Sequence, residues 1–201
     1  MKIEDLMVRE PITVNERSTI SDAIGIMKTN SIRHLPVVGK DNQLVGFVTL
    51  ADLKQGLIPS MVGDLGLKDL MIRNPVTVSP DTDVEIAAQL IYKRKIGGLP
   101  VVDKGRLVGI ITVTDILGAF VNMMGLLSAS SRIDTAIENR PGALRKAIQV
   151  IHEQGGDIIN IAMAGKSGNK RIYYFRLAEC DTAAISAALE KAGVTVLNAI
   201  G

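Results

Sequence analysis

Aromatic residues are the scarcest class in this chain. They make up 3% of its 201 residues, and tryptophan is missing altogether. There is one cysteine, Cys180, and there are two histidines, His34 and His152. A lone cysteine closes no internal disulfide, which excludes a disulfide scaffold and fits a reducing compartment. HExxH and CxxC motifs are lacking, as are a Walker A loop and a GxSxG turn, so nothing points to a metal site, a cofactor or a catalytic role. An excess of one charge is lacking too. The net charge is +2, with 14 Lys+Arg against 14 Asp+Glu in residues 1–128 and 9 against 7 in residues 129–201. A polyanion binder needs a basic excess and stacking aromatics, so nucleic acid is not an expected partner. The longest charge-free stretch, Ile116–Ser131, is interrupted by Asn122 and three serines, and is shorter than the roughly 20 apolar residues that cross a bilayer. The opening MKIEDLMVRE is too charged for a signal peptide. The expectation is a cytoplasmic protein without a membrane segment.

What is present is a duplication. DLMVREPITV at Asp5–Val14 returns as DLMIRNPVTV at Asp69–Val78, with seven of ten positions identical. LPVV at Leu35–Val38 returns at Leu99–Val102, and LVGFVTLADL at Leu44–Leu53 returns as LVGIITVTDI at Leu107–Ile116. Three blocks in the same order, about 63 residues apart, define an internal repeat.

Both copies follow one grammar. A proline-led extended piece (Pro11–Val14, Pro75–Val78) precedes a helix with apolar residues at i, i+3, i+4 and i+7: Ile20, Ala23, Ile24 and Met27, then Val84, Ala87, Ala88 and Ile91. Thr82 and Glu85 have the spacing of a capping box for the second of these. Two β-branched strands follow, around a polar turn at Gly39–Gln43 or Asp103–Arg106, and another helix starts near Thr49 or Thr112. The order is β-α-β-β-α, twice. A unit of about 60 residues buries little surface alone, so the copies are expected to pack as a pseudo-twofold pair around two clefts.

The segments GFVTLAD (Gly46–Asp52) and GIITVTD (Gly109–Asp115) resemble the Gly-h-h-Thr-x-x-Asp signature of CBS domains, and RHLPVV and GGLPVV resemble that family's h-Pro strand. The resemblance covers residues 1 to about 125. It implies a tandem CBS pair, a Bateman module, holding an adenosine compound such as AMP, ADP, ATP or S-adenosylmethionine in its clefts. Thr49 and Thr112, where strand gives way to helix, suit a phosphate at the positive helix end. Asp52 and Asp115 are placed to accept ribose hydroxyls, and Gly46 and Gly109 to admit a flat base. Pro36 and Pro100 would shape the adenine wall, with Thr13 and Thr77 near the same edge. Arg33 and His34 are phosphate candidates in copy one, where copy two has Gly97 and Gly98. Which cleft gains them is left open. The plainer reading of each Thr-x-x-Asp is a helix cap, and that of His34 a solvated surface residue.

From Ser131 the pattern changes. Ile133–Ile137 reads as a strand, and Leu144, Ala147, Ile148 and Ile151 as one helical face with Pro141 in its first turn. Strands at Ile158–Met163 and Arg171–Leu177 flank a turn at Gly165–Lys170; Asp181 caps a last helix, and Val194–Ile200 closes as a strand. This β-α-β-β-α-β order is ferredoxin-like. NRPGAL at Asn139–Leu144 resembles the Asp/Asn-x-Pro-Gly-x-Leu turn of ACT domains. That resemblance implies pairing between copies and an amino acid at the pairing interface, with Asn139, Pro141, Gly142 and Leu144 in the ligand loop and Asp157 and Asn160 from the partner side. The alternative is that PGxL only starts a helix and the domain only dimerises.

The expected class is thus α/β (α+β): a CBS repeat at residues 1–63, a second at 64–128, and an ACT-like domain at 129–201. A CBS–CBS–ACT order resembles the acetoin utilisation protein B type of bacterial protein. The expected role is regulatory ligand sensing, with Phe120–Ser131 coupling the two ends and supplying a homodimer contact through its apolar residues, and with an unidentified regulated protein as partner. The alternative is a ligand-free module that scaffolds a partner enzyme.

Overall fold

The computed structural model describes residues 1–56, 66–127 and 129–201. The expected boundary between repeats at 63/64 and residue 128, the end of the second expected domain, lie outside the described residues. The first repeat runs through two short strands, β1 (Val8–Arg9) and β2 (Val14–Asn15), helix α1 (Ile20–Thr29), the hairpin β3 (His34–Val38) and β4 (Leu44–Thr49), and helix α2 (Leu50–Gly56). The second runs through a single turn α3 (Leu67–Leu70), helix α4 (Val84–Arg94), the hairpin β5 (Gly98–Asp103) and β6 (Arg106–Thr112), and helix α5 (Val113–Met123).

Apolar spacing sets the inward faces: Ile20, Ala23 and Met27 are buried on α1, and Val84, Ala87 and Ile91 on α4. The caps differ from expectation. The reciprocal box belongs to α1, where Asp22 N donates to Thr19 Oγ1 at 3.0 Å and Thr19 N to Asp22 Oδ2 at 3.1 Å. The expected Thr82–Glu85 box does not form. Thr82 Oγ1 instead accepts from Ser79 N at 3.1 Å, and the N-cap of α4 is Asp83, whose carboxylate pairs with Lys2 Nζ at 2.8 Å. The hairpin turns differ as well. Copy two turns through Lys104 and Gly105 alone, both at positive φ, as a two-residue hairpin requires. Copy one uses a longer turn with a 3-10 piece at Lys40–Asn42.

The leading segment of each repeat is buried in the other repeat. Ile3 and Met7 belong to the second core, with Val78, Val84, Leu99, Val101 and Ile111. Leu67 belongs to the first, with Val14, Ile20, Leu35, Val48 and Leu53. Backbone bonds fix the exchange: Ile3 N donates to Thr82 O at 2.9 Å, Glu4 N to Pro80 O at 3.0 Å, and Val84 N to Met1 O at 3.1 Å. Strand β1 lies antiparallel on β6, with Val8 opposite Ile110, and Phe47 of β4 bridges Ile72 in the corresponding way. Each loan covers a sheet edge that would otherwise present unpaired N–H and C=O groups.

By contacts the chain divides into Met1–Leu117 and Gly118–Gly201, a boundary inside α5. The second unit runs β7 (Ser130–Glu138), α6 (Ala143–Glu153), β8 (Ile158–Ser167), β9 (Lys170–Ala178), α7 (Thr182–Lys191) and β10 (Thr195–Ile200). Its sheet has the order β10-β7-β9-β8, antiparallel throughout, which is the split β-α-β-β-α-β arrangement. Ile133, Ile137, Phe175 and Leu177 pack against Ala147, Ile151, Ile185 and Leu189. Asp181 caps α7 by accepting from Ala183 N at 2.9 Å. Two expectations need correction. Pro141 is not in the first turn of α6, because Gly142, at φ +81°, takes the N-cap position and the helix starts at Ala143. The β8–β9 turn is shorter than Gly165–Lys170, because the strands zip up to Ser167 and Lys170.

Candidate functional site

Each repeat carries the same device where its last strand becomes a helix. Thr49 N and Oγ1 both donate to Asp52 Oδ2, at 3.1 and 2.6 Å, and Asp52 N donates back to Thr49 Oγ1 at 3.3 Å. Thr112 and Asp115 repeat this at 2.8, 2.7 and 3.4 Å. All four residues are half-buried. The geometry fulfils the capping reading, since it satisfies donors that a helix start leaves open. It also leaves Oδ1 of each carboxylate without a hydrogen bond among the described residues. Two half-buried anionic acceptors, one per repeat, can each take a hydroxyl from a polyol such as ribose.

The repeats meet at the starts of β3 and β5. Arg33 O accepts from Leu50 N at 2.9 Å, and Gly97 O accepts from Val113 N at 3.1 Å, so the two strand starts are held alike. His34 stacks on Phe47, with ring centroids 5.8 Å apart and 14° between planes. A Cβ on Gly97 would overlap His34 Nε2, so the imidazole of copy one fills the place of a side chain in copy two. His34 is therefore half-buried in this seam, which sets aside the plainer reading of a solvated surface residue. Burial holds its pKa below the usual imidazole value; the Arg33 charge lowers it further, and Asp52 opposes both. Arg33 itself is exposed. Gly98 is buried opposite Thr112, and a Cβ there would meet Thr112 Cγ2 at 3.3 Å.

Pro36 and Pro100 are buried in mid-strand, opposite Phe47 and Ile110. Thr13 is half-buried ahead of β2 and lines an open cleft of about 500 Å³ with Arg9, Glu10, Pro11, Asn42 and Leu107. Asn42 Nδ2 reaches across the repeats there to donate to Leu107 O at 2.7 Å. Thr77 is exposed beside Val78, which bridges Val101. A second cleft, of about 480 Å³, lies between Glu16–Thr19 and Gly66–Lys68. Thr49, Asp52, Thr112 and Asp115 line neither of these two clefts. Gly46 and Gly109 do not lie open to a base. A Cβ on Gly46 would be 2.5 Å from Met71 Sδ, and one on Gly109 would be 2.6 Å from Met7 Sδ, so these glycines admit the exchanged methionines. Sequence reading missed this, as it missed Asn42 and the seam at Gly97. The signal was there in part: each Gly-h-h-Thr block is matched by a DLM block, although nothing in the pattern says which meets which.

In the second unit the expected amino-acid residues separate within one chain. Asn139, Pro141 and Gly142 are exposed beside the β8–β9 turn, where Asn139 N donates to Asn169 O at 2.9 Å, and Leu144 is half-buried against the core. Asp157 lies at the opposite end, its carbonyl accepting from Ala178 N at 2.8 Å, and Asn160 Nδ2 donates to Met123 O at 3.2 Å. The β7–β9 ladder between these ends is about 30 Å long at the usual rise per residue.

With both Thr–Asp junctions in place, the family assignment follows from the match of the CBS domain to residues 3–58 and 67–122. The chain belongs to the CBS domain family. Its tandem CBS pair is 38% identical over 117 residues to inosine-5'-monophosphate dehydrogenase of Methanocaldococcus jannaschii, a match that covers 58% of this chain and 23% of that enzyme. The chain thus spans about a quarter of the length of the enzymes it matches. The solved CBS domain pair of protein MJ0100, in complex with 5′-methylthioadenosine and S-adenosyl-L-methionine, is 32% identical, with TM-score 0.57, 61% of this chain covered and 97% of that one. A Vibrio cholerae protein assigned to acetoin utilization (AcuB) is 35% identical, with TM-score 0.57 over 63% of this chain and 94% of that one. CBSX2 in complex with AMP is 31% identical, with TM-score 0.54 over 60% and 96%. CBS pairs similar to this one therefore hold adenosine ligands.

Proposed function

We propose that the CBS pair of this protein binds an adenosine compound, such as AMP, ADP, ATP or S-adenosylmethionine, and that the protein is a regulator rather than a catalyst. The observation that carries this is the duplicated Thr–Asp junction, which keeps one acceptor oxygen per repeat available in a family whose solved pairs include AMP and S-adenosyl-L-methionine complexes. In this reading Asp52 and Asp115 accept ribose hydroxyls, and Thr49 and Thr112 face the phosphate or its equivalent. Pro36, Pro100, Thr13 and Thr77 bound the base, and Gly98 takes the place opposite Thr112 that His34 holds opposite Thr49. Arg33 and His34 add cationic and donor groups from copy one. The seam at Gly97 favours His34 acting on the side of the second repeat.

The second unit is read as an ACT-like domain that takes an amino acid between two copies, using Asn139, Pro141, Gly142 and Leu144 from one and Asp157 and Asn160 from the other. The placement of these two groups toward opposite ends of a ladder about 30 Å long fits a site shared between copies. Helix α5 supports homodimer formation, because it buries none of its residues and exposes Val113, Leu117, Phe120 and Met123. The competing reading, a ligand-free scaffold, is favoured by the completeness of the caps, which account for both Thr–Asp pairs without a ligand.

Titration calorimetry with AMP, ATP, S-adenosylmethionine and NAD separates them. Binding of an adenosine ligand is expected, and Asp115→Ala is expected to weaken it about 10- to 100-fold, the worth of hydrogen bonds to a charged group. Thermal melts of the variant guard against a lost cap. No heat with any of the four at millimolar concentration overturns the nucleotide reading.

A further inference from the structure

We propose that the end of the second unit where β7 stops and α6 starts is a docking surface for an acidic peptide segment of a partner protein. Antiparallel order gathers several pieces there. Glu138 ends β7 opposite Lys170, the β8–β9 turn follows, α7 finishes, and Thr195 starts β10 opposite Ala136. Arg140, Arg145 and Lys146 lie around the start of α6. Lys166, Lys170 and Arg171 flank the β8–β9 turn, and Lys191 ends α7. Against these seven cations stand two carboxylates, Glu138 and Glu190. The opposite end has the reverse composition: Glu153, Asp157, Glu179 and Asp181 against Arg176. Arg132 and Asp134 neutralise each other in mid-sheet, in a bidentate pair at 2.6 and 2.7 Å. A nearly balanced stretch of sequence is thus folded into two poles of opposite sign.

Lys191 and Lys146, the latter on the Ala192 carbonyl, favour the C-terminal end of α7, but the pole does nothing for α6. Arg145 and Lys146 sit at the start of α6, the positive end of its dipole, where acids are favoured and none is present. Gly142 supplies no side-chain cap, and Ala143 N donates instead to the Arg140 carbonyl at 3.3 Å. Arg140 is the one cation of the pole with a carboxylate partner among the described residues, Glu138 at 2.5 Å. Lys146 and Lys170 donate to neutral groups, Ala192 O at 2.7 Å and Thr195 Oγ1 at 2.9 Å, which tie the loops together, and the one carboxylate opposite Lys170, Glu138, is shared with Arg140. Arg171 Nε is buried without a hydrogen bond among the described residues.

The chemistry selects the occupant. Four strands and a helix layer make this end about 15–20 Å across, the reach of five or six extended residues and wider than a single small anion. Base stacking has no platform, since Phe175 is buried, Tyr173 packs on the core and Tyr174 lies beneath Arg132. Carboxylates along an extended segment match the spread of cations, and one of them fits the uncapped start of α6.

Fluorescence anisotropy of a labelled 12-residue Glu-rich peptide with the full chain tests this at low salt. Saturable binding is expected, weakened about tenfold or more by Arg145→Glu with Lys166→Glu, and unchanged by Glu153→Gln at the other pole. Thermal melts verify folding, and Lys166→Gln with Lys191→Gln serves if the double reversal does not fold. The proposal is overturned by equal binding to wild type and variant, or by no binding at 1 mM peptide. Tighter binding of a 12-nucleotide single strand through the same residues also overturns it. So does low-salt self-association that the reversal abolishes, which would make the acidic pole of a second copy the occupant.

Discussion

Ile3 and Leu67 hold equivalent positions in the two repeats, and each is fully buried in the core of the other. His34 and Gly98 also hold equivalent positions, yet one is an imidazole in the seam and the other a glycine against Thr112. The contrast shows where duplication is constrained. Positions that fill the exchanged cores keep their volume, because a core tolerates changes in packing poorly. Positions facing the seam have diverged, and they have done so jointly, since the His34 ring needs the missing Cβ at Gly97.

The largest test of this symmetry concerns the exchanged segments. Ile3→Ala is expected to cost about 2–5 kcal/mol, and Leu67→Ala a similar amount. Hydrogen exchange distinguishes them: Ile3→Ala should expose amides of β5 and β6 first, and Leu67→Ala those of β3 and β4. Loss of protection confined to the mutated repeat's own sheet would break the exchange. A smaller asymmetry is expected at the glycines. Gly109→Ala meets Met7 Sδ and also Val8 O at 3.1 Å, whereas the three atoms nearest a Cβ on Gly46 all belong to the flexible Met71 side chain. The first is expected to cost about 1–3 kcal/mol and the second less, as denaturant melts would show; equal costs would mean that the backbone at Val8 yields freely. The smallest effect concerns pH. Because burial lowers the His34 pKa in the folded chain, the unfolded chain binds this proton more readily, so its contribution falls as pH drops below about 6.5. Unfolding midpoints between pH 7.5 and 5.5 should therefore fall less in His34→Gln than in the parent. An identical fall in both would show that His34 is not the group responsible.

Much of the fold is legible in the sequence. Ile20, Ala23 and Met27 announce α1 by spacing, the LPVV and LVG blocks announce the hairpins, and the order β-α-β-β-α-β can be read from Ser131 onward. Local pattern reports that a residue is buried without saying against which sheet, so Ile3 and Met7 read as part of the first repeat. Thr82 illustrates a second limit. Its spacing from Glu85 suits a box, but the chain bends at Ser79 and Lys2 arrives from 81 residues away to hold Asp83. At the candidate site, Thr49, Asp52, Thr112 and Asp115 were legible because each pair is local. The seam of His34 and Gly97, and the two charged poles of the second unit, arise from distant residues and have no local signature.

The exchange of leading segments has a consequence for the order in which the nascent chain acquires structure. Residues 3–7 are made ahead of the rest of the CBS pair, but their hydrophobic partners extend to Ile111, so Ile3 and Met7 wait through more than 100 further residues before they are covered. The first core lacks Leu67 until α3 emerges. The first core is complete once α3 has emerged, whereas the second waits for the hairpin of β5 and β6, so the two repeats consolidate in turn, each after the start of the other has been made.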